Sequence, residues 1–168
     1  DRDYCLAAAA MHCRVSYKTR QVNNVFAGKD SLSIDGAICF ESVFPYFITN
    51  FIRRGGELII VVTNDSWYGN SSGPYQHEDF AVLRAVENRR AVVRAANGGI
   101  SSIIDPLGRI KQSTKMFTKT YLVGNVPVEN VETFFTKHPM IIPYLSSGFS
   151  LWVFGVFLLL KIKTKFNL

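Results

Sequence analysis

A few side chains in this sequence have the type and spacing to do chemistry. Cys39 closes the apolar run Ser33-Ile-Asp-Gly-Ala-Ile-Cys39 and is followed at once by Phe40-Glu41-Ser42 and a helical pattern. A thiol at a strand-to-helix elbow is fixed in place by the strand, and the N–H groups of a helix start favour its thiolate. Such a group attacks acyl carbonyls. Asn64 and Asp65 follow a second apolar run, Leu58 to Val62, and lead into a polar loop carrying Trp67 and Tyr68. Asn97 follows a third run, Ala91 to Ala95. An isolated cysteine is often no more than a small apolar side chain. Polar residues at several strand ends raise Cys39 above that reading, because open α/β sheets collect ligand groups at the carboxyl ends of their strands.

The elements that must position these groups follow from periodicity. Phe44, Phe47, Ile48, Phe51 and Ile52 recur at helical spacing, Pro45 suits a first helical turn, and Gly55-Gly56 stops the helix. Leu58 to Val62 reads as a buried parallel strand. Gly73-Pro74 marks the turn before a helix of roughly Gln76 to Asn88. Strands follow at Ala91 to Ala95, Ile100 to Ile104, Arg109 to Gln112 and Tyr121 to Val126, with Asp105-Pro-Leu-Gly108 as a tight turn. Alternating strands and helices followed by short-linked strands predict an α/β layered fold. Ala7 to Met11 suits a helical turn; residues 1–24 otherwise carry no clear period and are left unassigned, as non-native or truncated sequence.

Composition narrows the rest. The 168 residues are 48% hydrophobic with 19% charged, and the excess of apolar residues is concentrated near the end. From Pro139 to Leu160 no residue is charged, which meets the roughly 20 residues a bilayer core requires. Lys161, Lys163 and Lys165 follow directly, so the positive-inside rule puts the C-terminus in the cytoplasm and the preceding domain on the other side. The net charge of +6 is scattered apart from Arg89-Arg90 and the terminal lysines. That pattern fits anionic lipid head groups and argues against a nucleic-acid partner. Cys5, Cys13 and Cys39 form no disulfide framework, and with only His12 nearby they make no zinc pattern. No metal or cofactor is expected.

An ordered series of motifs carries a resemblance. Ile38-Cys39-Phe40-Glu41 comes first, followed by Asn64-Asp65-Ser66-Trp67-Tyr68-Gly69 and Gly73-Pro74-Tyr75-Gln76-His77. Arg84-Ala-Val-Glu-Asn-Arg-Arg90, Arg94-Ala-Ala-Asn-Gly-Gly-Ile100 and Asp105-Pro-Leu-Gly108 complete it. From roughly Phe26 to Val128 the chain resembles the C-terminal half of the nitrilase-type domain of the apolipoprotein N-acyltransferase family, and its terminal apolar span resembles that family's last helix. The resemblance implies a partial αββα sandwich over 25–135, a transmembrane helix over 139–160 and a basic cytoplasmic tail over 161–168, in a bacterial inner membrane. It implies a phospholipid acyl donor, a diacylglyceryl apolipoprotein acceptor, and transfer through a cysteine thioester. By resemblance Cys39 is the nucleophile and Glu41 a supporting acid. Phe40, standing where the family usually has tyrosine, joins Asn64, Asp65, Trp67, Tyr68 and Asn97 around the substrate.

The family's glutamate base and oxyanion-stabilising lysine lie upstream of its cysteine. No glutamate precedes Glu41 here, and Lys18 and Lys29 lack the family's sequence context. The chain is therefore expected to be inactive alone. His77 is expected to be structural, and Arg84, Glu87 and Arg90 to form an ion-pair cluster. Two other readings remain open: a nitrilase-type amidase or carbamoylase sharing the cysteine elbow, and a membrane-tethered segment without catalysis.

Overall fold

A computed structural model describes residues 3–9, 25–27 and 33–166, with side chains from residue 33 to 161 apart from Asp35. The expectations for His12, Cys13, Lys18, Lys29 and the side chains of Cys5, Lys163 and Lys165 lie outside the described residues and side chains. The chain divides into two units, Asp1–Lys137 and His138–Leu168.

In the first unit the strands are β1 (Asp3–Ala9), β2 (Val25–Ala27) and β3 (Ser33–Ile38). Helix α1 (Pro45–Ile52) leads to β4 (Leu58–Asn64), and helix α2 (Gly73–Asn88) to β5 (Ala91–Asn97). The strands β6 (Ser102–Ile104), β7 (Ile110–Ser113) and β8 (Tyr121–Pro127) precede a short helix, α3 (Phe134–Lys137). Six strands form one sheet in the order β2-β3-β4-β5-β6-β7, with β3, β4 and β5 parallel and the rest antiparallel. β1 pairs antiparallel with β8 in a second sheet. The helical turn expected from Ala7 is not formed at Ala7–Ala9, which are extended and face Val123, Leu122 and Tyr121. Short alanine runs take the conformation their neighbours offer, and here a partner strand overrides helix propensity.

The alternation of side chains along the central strands builds two cores. Ala37, Ile59, Val61, Val92 and Ile104 face the helices and meet Ile48, Phe51, Ile52, Ala81 and Ala85. Leu58, Ala91, Val93 and Ile103 face the other way and meet Val126 of β8. Each fully buried isoleucine or leucine contributes about 1.5–3 kcal/mol by leaving water. α2 begins three residues earlier than its apolar stripe suggested, because Pro74 fits its first turn and is buried there. Arg84 pairs with Glu87 at 3.2 Å as its spacing implied. Arg90 reaches across to the carbonyls of Gly56, at 2.9 Å, and Val131, at 2.8 Å.

The second unit is a single helix, α4 (Ile141–Phe166). Its segment Ile141–Lys161 has a mean hydropathy of 1.7 and none of it is buried, so it is long and apolar enough to cross a membrane. Two of its serines turn their hydroxyls back onto the helix. Ser146 Oγ donates to the Pro143 carbonyl at 3.0 Å, and Ser150 Oγ to the Ser146 carbonyl at 2.9 Å.

Candidate active site

The parallel register aligns the ends of three neighbouring strands. Ile38 lies opposite Val62, and Asn64 opposite Asn97. Cys39, Asn64, Asp65 and Asn97 are thereby gathered at one sheet edge.

Cys39 turns the chain sharply. Its φ is +51°, a left-handed conformation that a side chain with Cβ adopts at a cost of about 1–3 kcal/mol. Such an elbow projects a nucleophile away from the sheet. Cys39 is half-buried and unpaired by any disulfide. The segment after Cys39 differs from the expected helix. A tight 3-10 turn spans Cys39–Val43, and α1 starts only at Pro45. A five-residue 3-10 turn lacks the field of a long helix. Two hydrogen bonds close the turn: the Ile38 amide donates to Glu41 Oε2 at 2.7 Å, and Ser42 Oγ donates to the Cys39 carbonyl at 2.8 Å. Glu41 therefore braces the backbone just before the thiol.

Asn64 and Asn97 form the neighbouring part of the rim. Asn64 Oδ1 accepts from Asn97 Nδ2 at 3.0 Å and from Ser66 Oγ at 2.8 Å, while the Asn64 carbonyl accepts from Trp67 Nε1 at 2.8 Å. Close approach of the 97–99 loop requires glycine. Gly98 sits at φ +70°, and a Cβ there would lie 2.7 Å from the Ser66 Cα. Gly98→Ala is expected to destabilise the fold by about 1–3 kcal/mol by combining overpacking with a strained φ. A shift in the urea midpoint without a change in slope will check it.

Beneath the rim runs a buried polar line. Asp65, expected beside the substrate, is fully buried beneath the strand ends. Its Oδ1 accepts from Thr63 Oγ1 at 2.9 Å and His77 Nδ1 at 3.0 Å; its Oδ2 pairs with Arg94 at 2.5 Å. Burial alone would raise the Asp65 carboxyl, but the His77 hydrogen bond, the Arg94 charge and the Thr63 hydroxyl outweigh it and hold the pKa below its ordinary value. Arg94, also fully buried, donates in addition to the Ile100 carbonyl. At the other end, His77 Nε2 lies 3.3 Å from the Cys39 carbonyl and 3.3 Å from Ser42 Oγ. The sequence did hold a signal for this line. A lone arginine in Ala91-Val-Val-Arg-Ala-Ala96 must find an acid once the strand is buried.

Aromatic rings rim the site. Phe40 stacks on His77 with centroids 5.5 Å apart and leans on Trp67 at 6.2 Å. Trp67 stacks on Tyr68 at 4.1 Å. Phe40 is 46% exposed and Trp67 63%, an open apolar surface beside the thiol. Burial, reinforced by the negative charge of Asp65, pushes the Tyr68 phenol up, so it stays protonated and can donate.

Known proteins fit this geometry. The carbon-nitrogen hydrolase family model matches residues 11–134. The chain belongs to that family. Among curated relatives, the carbon-nitrogen hydrolase chain is 43% identical over 111 residues to the apolipoprotein N-acyltransferase of Chlorobaculum tepidum, covering 66% of this chain and 21% of that one. It is 42% identical over 118 residues to the Geobacter metallireducens enzyme of the same name, covering 70% and 22%. It is 44% identical over 119 residues to the one from Rickettsia prowazekii, covering 69% and 23%. The chain thus spans about a fifth of the length of these relatives. Among solved structures, an amidase from Nesterenkonia sp. has a TM-score of 0.55 at 21% identity, covering 66% of this chain and 43% of that one. Saccharomyces cerevisiae Nit3, of the nitrilase superfamily, has a TM-score of 0.55 at 19% identity, covering 64% and 42%. These two likenesses establish the nitrilase-superfamily fold.

Proposed function

We propose that this carbon-nitrogen hydrolase chain carries the nucleophile part of a lipoprotein N-acyltransferase site, with Cys39 as the residue that is acylated. The observation that carries the reading is the left-handed, half-buried Cys39 elbow, inside the carbon-nitrogen hydrolase match over residues 11–134, in a chain 42–44% identical over 111–119 residues to apolipoprotein N-acyltransferases. In the proposed reaction the Cys39 thiolate attacks a phospholipid ester carbonyl. The ester C–O bond breaks, the lysophospholipid oxygen takes a proton, and a thioester remains on sulfur. The amine of a diacylglyceryl-cysteine then attacks the thioester, the C–S bond breaks, the nitrogen gives its proton to a general base, and an amide forms as the thiolate is restored. No ATP is required, because the thioester keeps the reactivity of the donor ester.

The proton steps and the oxyanion need a general base and a positive donor. Residues 26–128 offer neither of the family's upstream groups, so isolated chain is expected to show no transfer. Phe40, Trp67 and Tyr68 supply an apolar border for an acyl chain, and Asn64 and Asn97 a polar one for the head group. α4 would anchor the chain to the membrane that carries both lipid substrates, with the lysines after Leu160 on the cytoplasmic side.

The test uses membranes from cells expressing the complete gene product, with phospholipid labelled in one acyl chain and a diacylglyceryl lipopeptide. Label is expected on the lipopeptide amine. Release of ammonia from short amides with no label transfer would instead support an amidase, and neither product would support a non-catalytic membrane-tethered role.

A further inference from the structure

We propose that His77, braced by Asp65 and Arg94, is a positioning residue for Cys39: with a hydrogen on each ring nitrogen it donates through Nδ1 to Asp65 and through Nε2 to the nucleophile's own carbonyl, and so holds the left-handed elbow that presents the thiol. The inference rests on reading Cys39 as the nucleophile, and it assigns His77 a task beyond filling space.

Three features of the geometry support it. First, a non-glycine residue at φ +51° relaxes unless its peptide groups are held. The Ile38 amide on one side is tied to Glu41, and the Cys39 carbonyl on the other faces both Ser42 Oγ, at 2.8 Å, and His77 Nε2, at 3.3 Å. Second, Ser42 and Glu41 belong to the same turn as Cys39 and move with it, whereas His77 belongs to α2. His77 therefore ties the elbow to α2. Third, the ring itself cannot drift. It is 2% exposed, its Nδ1 donates to Asp65, Phe40 stacks on its face, and Asp65 is locked in turn by Thr63 and Arg94. A side chain needs supports of this kind to position a reacting group to within a fraction of an ångström.

Two substitutions separate this task from a structural one. Asn at position 77 places its amide nitrogen where Nδ1 stood, keeping the Asp65 bond and losing the Cys39 contact. Gln places its amide nitrogen near Nε2, keeping the Cys39 contact and loosening the Asp65 bond. In a Cys5→Ser/Cys13→Ser background of the full chain, Cys39 is alkylated with iodoacetamide across pH, and unfolding is followed in parallel. The positioning role predicts that His77→Gln alkylates within about threefold of the parent while His77→Asn is slower by about tenfold or more, although His77→Asn is the more stable. Rates that instead follow stability, with His77→Asn faster than His77→Gln, would overturn it. A second measurement needs no variant. In isotope-labelled parent protein, a hydrogen-bond scalar coupling between His77 Nε2 and the Cys39 carbonyl carbon is expected, and its absence would overturn the proposal. Neither readout depends on acyl transfer. A parent protein that passes both tests but transfers no acyl chain would refute the function and leave the positioning intact.

Discussion

Asp65→Asn should lower the unfolding free energy by about 3–5 kcal/mol, the scale on which a buried charge is felt when its partner is neutralised. Arg94 is fully buried and pairs with Asp65, itself fully buried. The amide keeps the shape of the carboxylate but leaves the guanidinium uncompensated. Asp65 also gives the effect a pH signature. Its folded pKa is depressed, so its stabilisation is complete above the unfolded value of about 3.9 and is lost as pH falls through the lower folded value. Asp105 is depressed as well: its burial is outweighed by the amides of Arg109 and Leu107 and by the Arg109 and Lys111 side chains. Asp105 therefore leaves an acid dependence of the same sign in the variant. Urea unfolding of the chain in a nonionic detergent, from neutral pH to pH 3, should show the parent losing its advantage over Asp65→Asn as acid is added. A constant gap between the two would mean that the Asp65 charge does not hold this region together.

Much of the fold was readable in the residues because its central strands are buried on both faces. Leu58 to Val62 and Ala91 to Ala95 are continuous apolar runs, and both are strands of the parallel core. Helix bounds were less readable. Gly73, Pro74 and Tyr75 belong to α2 although they carry no stripe. β1 was invisible for another reason. A strand at Asp3–Ala9 is decided by its distant partner β8, and no local pattern records that pairing.

The site divides along the same line. Cys39, Asn64 and Asn97 could be placed at strand ends because strand ends can be counted off a sequence, and the parallel register sets those ends side by side. The Asp65–His77–Arg94 line was not found as a unit. Its members come from the end of β4, the first turns of α2 and the middle of β5, and only burial shows that they must satisfy one another. The turn after Cys39 was misread as helix because Phe40-Glu41-Ser42 suits either form; the left-handed φ at Cys39 decides between them.

The acyl-carrying role proposed for Cys39 has the largest expected consequence. A thiol that becomes a thioester cannot be replaced by a hydroxyl in a site lacking a base strong enough to ionise it. Cys39→Ser is therefore expected to cut lipoprotein acylation by at least about a thousandfold, as removal of a covalent nucleophile does elsewhere. The most direct measurement is intact and peptide mass spectrometry of the complete gene product isolated from phospholipid membranes without acceptor. One fatty acyl chain is expected on the Cys39 peptide, removed by neutral hydroxylamine, discharged by a diacylglyceryl lipopeptide and missing from Cys39→Ser. An unmodified Cys39 in protein that still transfers acyl chains, or undiminished transfer by Cys39→Ser, would contradict the acyl-carrying role.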